Sequence, residues 1–165
     1  GIWDPDSGSP TTLVTSTVST GGNGRVGTVL PSVFDNDNNL GWEMDFPEAG
    51  ERGNTDPYLA FGTLVFATNK PTTPDPCNPS GFSSWVYNLD YLSGGVVNLA
   101  GDTNTHIATY YAGASTRPNV VVLPSGVVKS ITRTSGQNVV NNVEEVRIKT
   151  GGSGARRVTW RELLN

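Results

Sequence analysis

The 165-residue chain has few of the residues that build metal centres, catalytic sites and disulfide frameworks. It contains one cysteine, one histidine and one methionine. The lone Cys77 excludes an internal disulfide, and His106 has no second histidine or cysteine with which to hold a metal ion. There is no Gly-x-Ser-x-Gly motif and no nucleophile placed for His106 to activate. We therefore assign no catalytic residue, expect no enzymatic activity, and expect a structural or surface role for His106.

Charge and long apolar runs are also scarce. Charged residues make up 16% of the chain and the net charge is −4, which argues against nucleic acid as a partner because phosphate binding needs a basic surface. No apolar run approaches the length of a membrane span. The first residues lack the basic end and apolar core of a signal peptide, so we expect a mature protein or a segment of a longer one. If the chain is a segment, Cys77 would be available for a disulfide with a cysteine elsewhere in the longer protein.

What the chain does have is glycine and proline, 20 and 11 residues respectively. Together with many threonines, valines and asparagines they predict an all-β fold of short strands and long turns. The two clearest strands are 62–68 and 84–90, which show a two-residue period and flank a proline-rich loop. A Ser-Gly-Gly turn follows, in which Gly94 or Gly95 is suited to a positive φ.

The rest of the chain carries weaker strand patterns. In 41–46, Trp42, Met44 and Phe46 alternate with acidic residues, which predicts a half-buried strand. A Pro-Ser-Gly turn at 124–126 predicts a hairpin. The further predicted strands are 11–20, 25–30, 106–111, 120–123, 127–134 and 139–149.

Two acidic stretches are candidate sites. Asp35, Asp37 and Asn39 place side-chain oxygens at alternate positions, as calcium loops do. The loop lacks the glycine and the final glutamate of that pattern, which favours an ordinary Asx-rich turn. Glu48 and Glu51 form a closely spaced carboxylate pair, but they lie in a turn beside an arginine, so we expect a solvated loop.

Several unusual motifs occur in one order across the second part of the chain. They are Gly41-Trp42, Gly50-Glu51-Arg52, Thr55-Asp56-Pro57, 61–66, Asp75-Pro76-Cys77, Ser84-Trp85 with Leu89-Asp90, Ser93-Gly94-Gly95, and the stretch 156–163 (RRVTWREL). In this order and spacing they resemble the C-terminal part of the PilC/PilY-type family of type IV pilus tip-associated proteins. The resemblance covers residues 41–165, whereas 1–40 form a leading β segment that we do not assign.

The resemblance implies a modified β-propeller in a protein exported to the pilus tip or outer membrane of a Gram-negative bacterium. There it would act in pilus assembly and surface adhesion. Some members bind calcium in an Asp/Asn-rich loop upstream of the Gly-Trp element, and 35–39 is a partial match to that loop. The resemblance thus implies calcium as a possible cofactor at Asp35, Asp37 and Asn39.

The length of the chain limits the propeller to about three antiparallel blades or fewer. A partial propeller exposes strand edges, so we expect partners that cover them. The candidates are the remainder of the propeller, pilin subunits and a host surface receptor.

Two other functions stay open. A secreted, calcium-stabilised or carbohydrate-binding β-domain would use aromatic side chains to stack on sugars, although their alternation within strands favours core packing. These aromatics are Trp3, Trp42, Trp85, Tyr87, Tyr110 and Tyr111. A fragment of a quinone-dependent dehydrogenase propeller would use the turn motif at 89–94, but that motif occurs only once.

Overall fold

The computed structural model describes residues 12–16, 18–21, 24–27, 39–74, 76, 80–97, 105–135 and 140–148. Within them the chain forms β-strands and no helix, so the all-β prediction is confirmed, and no helix there could span a membrane. The strands are β1 (Thr12–Ser16), β2 (Val18–Gly21), β3 (Gly24–Gly27), β4 (Asn39–Met44), β5 (Tyr58–Ala60), β6 (Thr63–Pro71), β7 (Phe82–Asp90), β8 (His106–Ala112), β9 (Asn119–Val122), β10 (Val128–Thr134) and β11 (Val140–Glu145).

The strands form two antiparallel sheets and one parallel pair. The larger sheet has the order β2-β3-β8-β7-β6-β5, the smaller has the order β11-β10-β9, and β1 pairs with β4. Among the described residues neither antiparallel sheet closes on itself, so propeller blades remain a prediction. Strands from 1–40 hydrogen-bond to strands from 41–165, because β1 pairs with β4 and β3 pairs with β8; the division of the chain at residue 41 also stays a prediction.

The centre of the larger sheet is the antiparallel pair β6–β7, which confirms the two strongest strand predictions. The register runs without interruption from Thr63 opposite Asp90 to Pro71 opposite Phe82. Pro71 is therefore the last residue of β6. Its missing N–H had predicted a place in the proline-rich loop instead. A strand end tolerates proline because no further ladder donor is needed there.

One face of this pair, here called the aromatic face, carries Phe66, Trp85, Tyr87 and Leu89. The rings of Phe66 and Tyr87 stack with centroids 4.8 Å apart. The partly buried side chains that pack against this cluster include Trp42, Met44 and Phe46. The predicted alternation in 41–46 is thus confirmed, although β4 itself ends at Met44.

The opposite face, here called the aliphatic face, carries Val65, Ala67 and Val86. These side chains are fully buried against Val128 and Val146, which belong to β10 and to the residues that follow β11. The smaller sheet therefore packs on the aliphatic face, and β4 packs on the aromatic face. The β6–β7 pair is covered on both sides.

The turn after β7 needs its glycine. Gly94 has φ of 67°, and an added Cβ would lie 2.2 Å from the ring of Trp42. The indole Nε1 of Trp42 donates to the backbone oxygen of Tyr91 at 2.8 Å. The predicted positive φ at this turn is confirmed, and it lets the turn contact the Trp42 ring directly.

Other boundaries differ from the predictions. The stretch 11–20 forms two strands in different sheets, β1 and β2. The hairpin of β9 and β10 is confirmed, with Gly126 at φ of 85°. The last predicted strand, 139–149, is confirmed as β11 (Val140–Glu145), but residues 146–148 are not strand. Glu145 is accommodated in the ladder opposite Lys129, whose Nζ lies 3.1 Å from its carboxylate.

Candidate functional site

The predicted metal ligands are only partly within the described residues. Asp35 and Asp37 lie outside them, as does Cys77, and Asn39 is the first residue of β4. In the part of the chain that the structure describes, no group of three or more histidine, cysteine, aspartate or glutamate side chains is placed to hold a metal ion. Calcium binding at Asp35, Asp37 and Asn39 stays a prediction. His106 begins β8 and is exposed.

A buried ionic cluster lies on the aromatic face, and we call it the Arg25 cluster: Arg25, Glu48, Glu51, Trp85 and Tyr87. Nη1 of Arg25 donates to Oε1 of Glu51 at 2.7 Å and to the hydroxyl of Tyr87. Nη2 donates to Oε1 of Glu48 at 2.8 Å. The guanidinium carbon lies 3.9 Å from the ring centroid of Trp85, which is cation–π geometry. One cation thus joins a strand, a turn and two aromatic rings.

The buried charges of the cluster are tolerated because each lies next to a charge of opposite sign. The side chains of Arg25 and Glu51 are both 0% exposed, and burying either charge alone would be very costly. Burial lowers the pKa of Arg25, but hydrogen bonding to Glu51 and the neighbouring Tyr87 raise it above its usual value. Burial, together with the charge of Glu51, also raises the pKa of Tyr87. The tyrosine therefore stays a neutral hydroxyl that donates to Glu51 at 3.1 Å.

The expectation that Glu48 and Glu51 form a solvated loop was wrong. Glu51 is buried, and the arginine that both carboxylates bind is Arg25, on β3, and not their neighbour Arg52. Glu48 is partly exposed and also accepts from Lys70 at 2.8 Å. An arginine inside a predicted β-run was the sequence signal for this cluster, since a buried guanidinium requires acidic partners.

Acid–base catalysis by this carboxylate pair does not fit the geometry. Glu51 has no exposed side-chain surface, so a substrate cannot reach it, and Arg25 occupies the space between the two carboxylates. Oε1 of Glu51 also accepts from the hydroxyl of Thr68 on β6. Through Glu48 and Glu51 the cluster holds the 47–52 turn against the larger sheet, which is a structural role.

A set of exposed apolar residues, here called the apolar edge, lies on two neighbouring strands, β5 and β9, and on the residue that follows each of them. β5 ends the larger sheet, β9 ends the smaller one, and the two strands lie close together. Leu59 is 56% exposed and Val122 is 54% exposed. The residues of the apolar edge are Tyr58, Leu59, Phe61, Val121, Val122 and Leu123. The most apolar predicted strand, 120–123, is therefore largely exposed.

Of the aromatic residues proposed for sugar stacking, Trp3 lies outside the described residues, and the others differ in burial. Trp85 and Tyr87 are buried, as their alternation predicts, whereas Tyr110 is 39% exposed and packs edge-on against Trp85. Trp42 is half-buried against the core. Tyr111 is also half-buried and lines a polar cleft of about 450 Å³ next to Glu144.

Comparison of the chain with protein-family models, with curated proteins and with solved structures found no match. The resemblance to the PilC/PilY-type family therefore rests on the sequence motifs alone.

Proposed function

We propose that the chain is a non-enzymatic module of a type IV pilus tip-associated protein of the PilC/PilY type. It would act in pilus assembly and adhesion at the surface of a Gram-negative bacterium. The ordered motifs between residues 41 and 163 support this proposal. The all-β architecture is compatible with it, and β5, β6, β7 and β8 are consecutive neighbours in one antiparallel sheet. Four such strands are what one propeller blade requires.

The observation that carries the proposal of a protein partner is the apolar edge. Exposed strand edges pair readily with strands of other chains, and exposed apolar side chains favour burial against such a strand. Leu59 and Val122 are the most exposed members, and they belong to different sheets. An extended apolar segment of a pilin, or of the remaining propeller, is the partner that fits this edge.

Binding of the purified chain to the soluble domains of type IV pilins tests this proposal. We expect Leu59→Lys and Val122→Lys each to weaken binding at least about tenfold, because a lysine there would have to be desolvated in the interface. Val143→Lys is the matched control, since Val143 is 59% exposed and lies on β11 at the other end of the smaller sheet. Absence of pilin binding, or equal loss in the Val143 variant, would contradict the proposal.

Calcium binding is a separate part of the proposal, at Asp35, Asp37 and Asn39. A ligand that binds only the folded chain raises its stability, by about 2.7 kcal/mol at a hundred times Kd. We expect excess calcium to raise the melting temperature relative to chelator, and Asp35→Ala with Asp37→Ala to abolish the shift. An unchanged melting temperature would remove calcium from the proposed function and leave the pilin interface to be judged by its own experiment.

A further inference from the structure

A polar cleft opens between the two antiparallel sheets, away from the apolar edge. Its walls come from β7 and β8 of the larger sheet and from the end of β11 with the residues that follow it, and its volume is about 450 Å³. This is within the range of small-molecule sites, which combine a few fixed polar groups with apolar walls. The polar side chains that line it include Asn88, His106, Tyr111, Glu144, Glu145 and Arg147.

The carboxylate of Glu144 is held in place across the cleft. Oε1 accepts a hydrogen bond from the hydroxyl of Tyr111 on β8, and Oε2 accepts from Nδ2 of Asn88 on β7 at 3.5 Å. Burial, together with Glu144, raises the pKa of Tyr111, so its hydroxyl keeps its proton and remains a donor. A carboxylate has lone pairs for more than two donors, and Glu144 can therefore accept from a ligand without losing either partner.

The charged side chains that line the cleft are of both signs, so an ion of either sign would face at least one repulsive group. An anion would meet the carboxylates of Glu144 and Glu145, whereas Arg147 disfavours a cation. Glu145 also pairs with Lys129 at 3.1 Å. Among the described residues no three metal-ligating side chains of the usual types converge. The ligand that fits is neutral and carries many hydroxyl groups.

We propose that this cleft binds a neutral saccharide of one or two hexose units. Carboxylate, guanidinium and amide groups are planar and offer donors or acceptors in pairs, which matches neighbouring hydroxyls on a sugar ring. Glu144 accepts from one hydroxyl pair and Arg147 donates to another. Tyr111 supplies an aromatic surface with a fixed hydroxyl.

Ligand-observed NMR and calorimetry with the full 165-residue chain test this inference. The probes are glucose, galactose, mannose, N-acetylglucosamine and lactose, with glucuronate and glucosamine as charged comparators. We expect at least one neutral probe to bind with a Kd in the millimolar range. We expect Glu144→Gln and Arg147→Ala each to weaken that binding about tenfold. Glu43→Gln is the matched control, because Glu43 is exposed on β4 and does not line the cleft.

Binding of none of the neutral probes would overturn the inference, and so would binding of the charged comparators alone. Equal loss in the Glu43 variant would also overturn it. Arg147→Ala is the second test if Glu144→Gln does not fold; unchanged sugar affinity in that variant would then count against the cleft. Val122→Lys is expected to leave sugar binding intact, so this result is independent of pilin binding.

Discussion

The two faces of the β6–β7 pair are stabilised in different ways. The aliphatic face buries Val65, Ala67 and Val86 against the smaller sheet and contributes through apolar area. The aromatic face buries a guanidinium and a carboxylate, and those charges are tolerated only because each has the other. We infer that the stability contributed by the aliphatic face depends on the volume of the buried side chains. The stability contributed by the aromatic face depends on Arg25 and Glu51 both being present. Substitutions on the two faces therefore separate these contributions.

Arg25→Met has the largest expected effect. Methionine is long enough to keep packing against Trp85, but it leaves the Glu51 carboxylate buried without its cation. Removing one partner of a buried ion pair costs about 3–5 kcal/mol of unfolding free energy. Urea denaturation of the variant and the unmodified chain measures this loss.

A double variant identifies the cause of that loss. Glu51→Gln, added to Arg25→Met, removes the stranded charge while an amide oxygen still accepts from Thr68 and Tyr87. We expect the double variant to be more stable than Arg25→Met alone. Arg133→Met, at an exposed position on β10, is expected to change stability by about 0.5 kcal/mol or less. A double variant no more stable than the single one would show that the uncompensated charge is not the cause.

Val86→Ala tests the aliphatic face and has a smaller expected effect. The side chain is 0% exposed, and the lost methyl groups together with the cavity they leave cost about 2 kcal/mol. Val143→Ala is the control because Val143 is exposed, and it is expected to be nearly neutral. Similar losses in the two variants would mean that burial on this face does not determine stability.

Local pattern was enough to predict the centre of the fold. The two-residue period in 62–68 and 84–90 predicted both central strands, because successive side chains of a strand point to opposite faces. It did not predict that both faces of β7 are buried. The glycine at 94 and the Pro-Ser-Gly turn were also predictable, since backbone conformation limits which residues fit such turns. Strand pairing was harder to predict from the sequence. β3 pairs with β8, about 80 residues further along the chain, and no local pattern indicates that pairing.

The sites were less predictable than the strands. The charged turn around Glu51 predicts a solvent-exposed side chain. Its actual partner, Arg25, lies 26 residues upstream, beyond the reach of that local pattern. The stretch 120–123 shows the opposite case, because apolar composition does not reveal that β9 ends a sheet. Exposure and charge pairing are both set by long-range packing, and a residue's neighbours in sequence do not determine either.

The smallest expected effect concerns Glu48, at the partly exposed end of the Arg25 cluster. Partial burial raises the pKa of Glu48, but hydrogen bonds from Lys70, Trp85 and Arg25 lower it below its ordinary value of 4.5. A carboxylate with a lowered folded-state pKa contributes stability above its ordinary pKa. That contribution is lost as the pH falls below 4.5 and through the folded-state value.

Melting temperatures between pH 6 and pH 3 test this dependence in the unmodified chain and in Glu48→Gln. The variant has no carboxylate to protonate, so we expect it to lose less stability than the unmodified chain over this interval. Glu43→Gln, at an exposed position on β4, is expected to follow the unmodified chain. Parallel curves for Glu48→Gln and the unmodified chain would place the acid sensitivity elsewhere. The stability contributed by the Arg25 cluster would then come from the buried Arg25–Glu51 pair alone, with no contribution from Glu48.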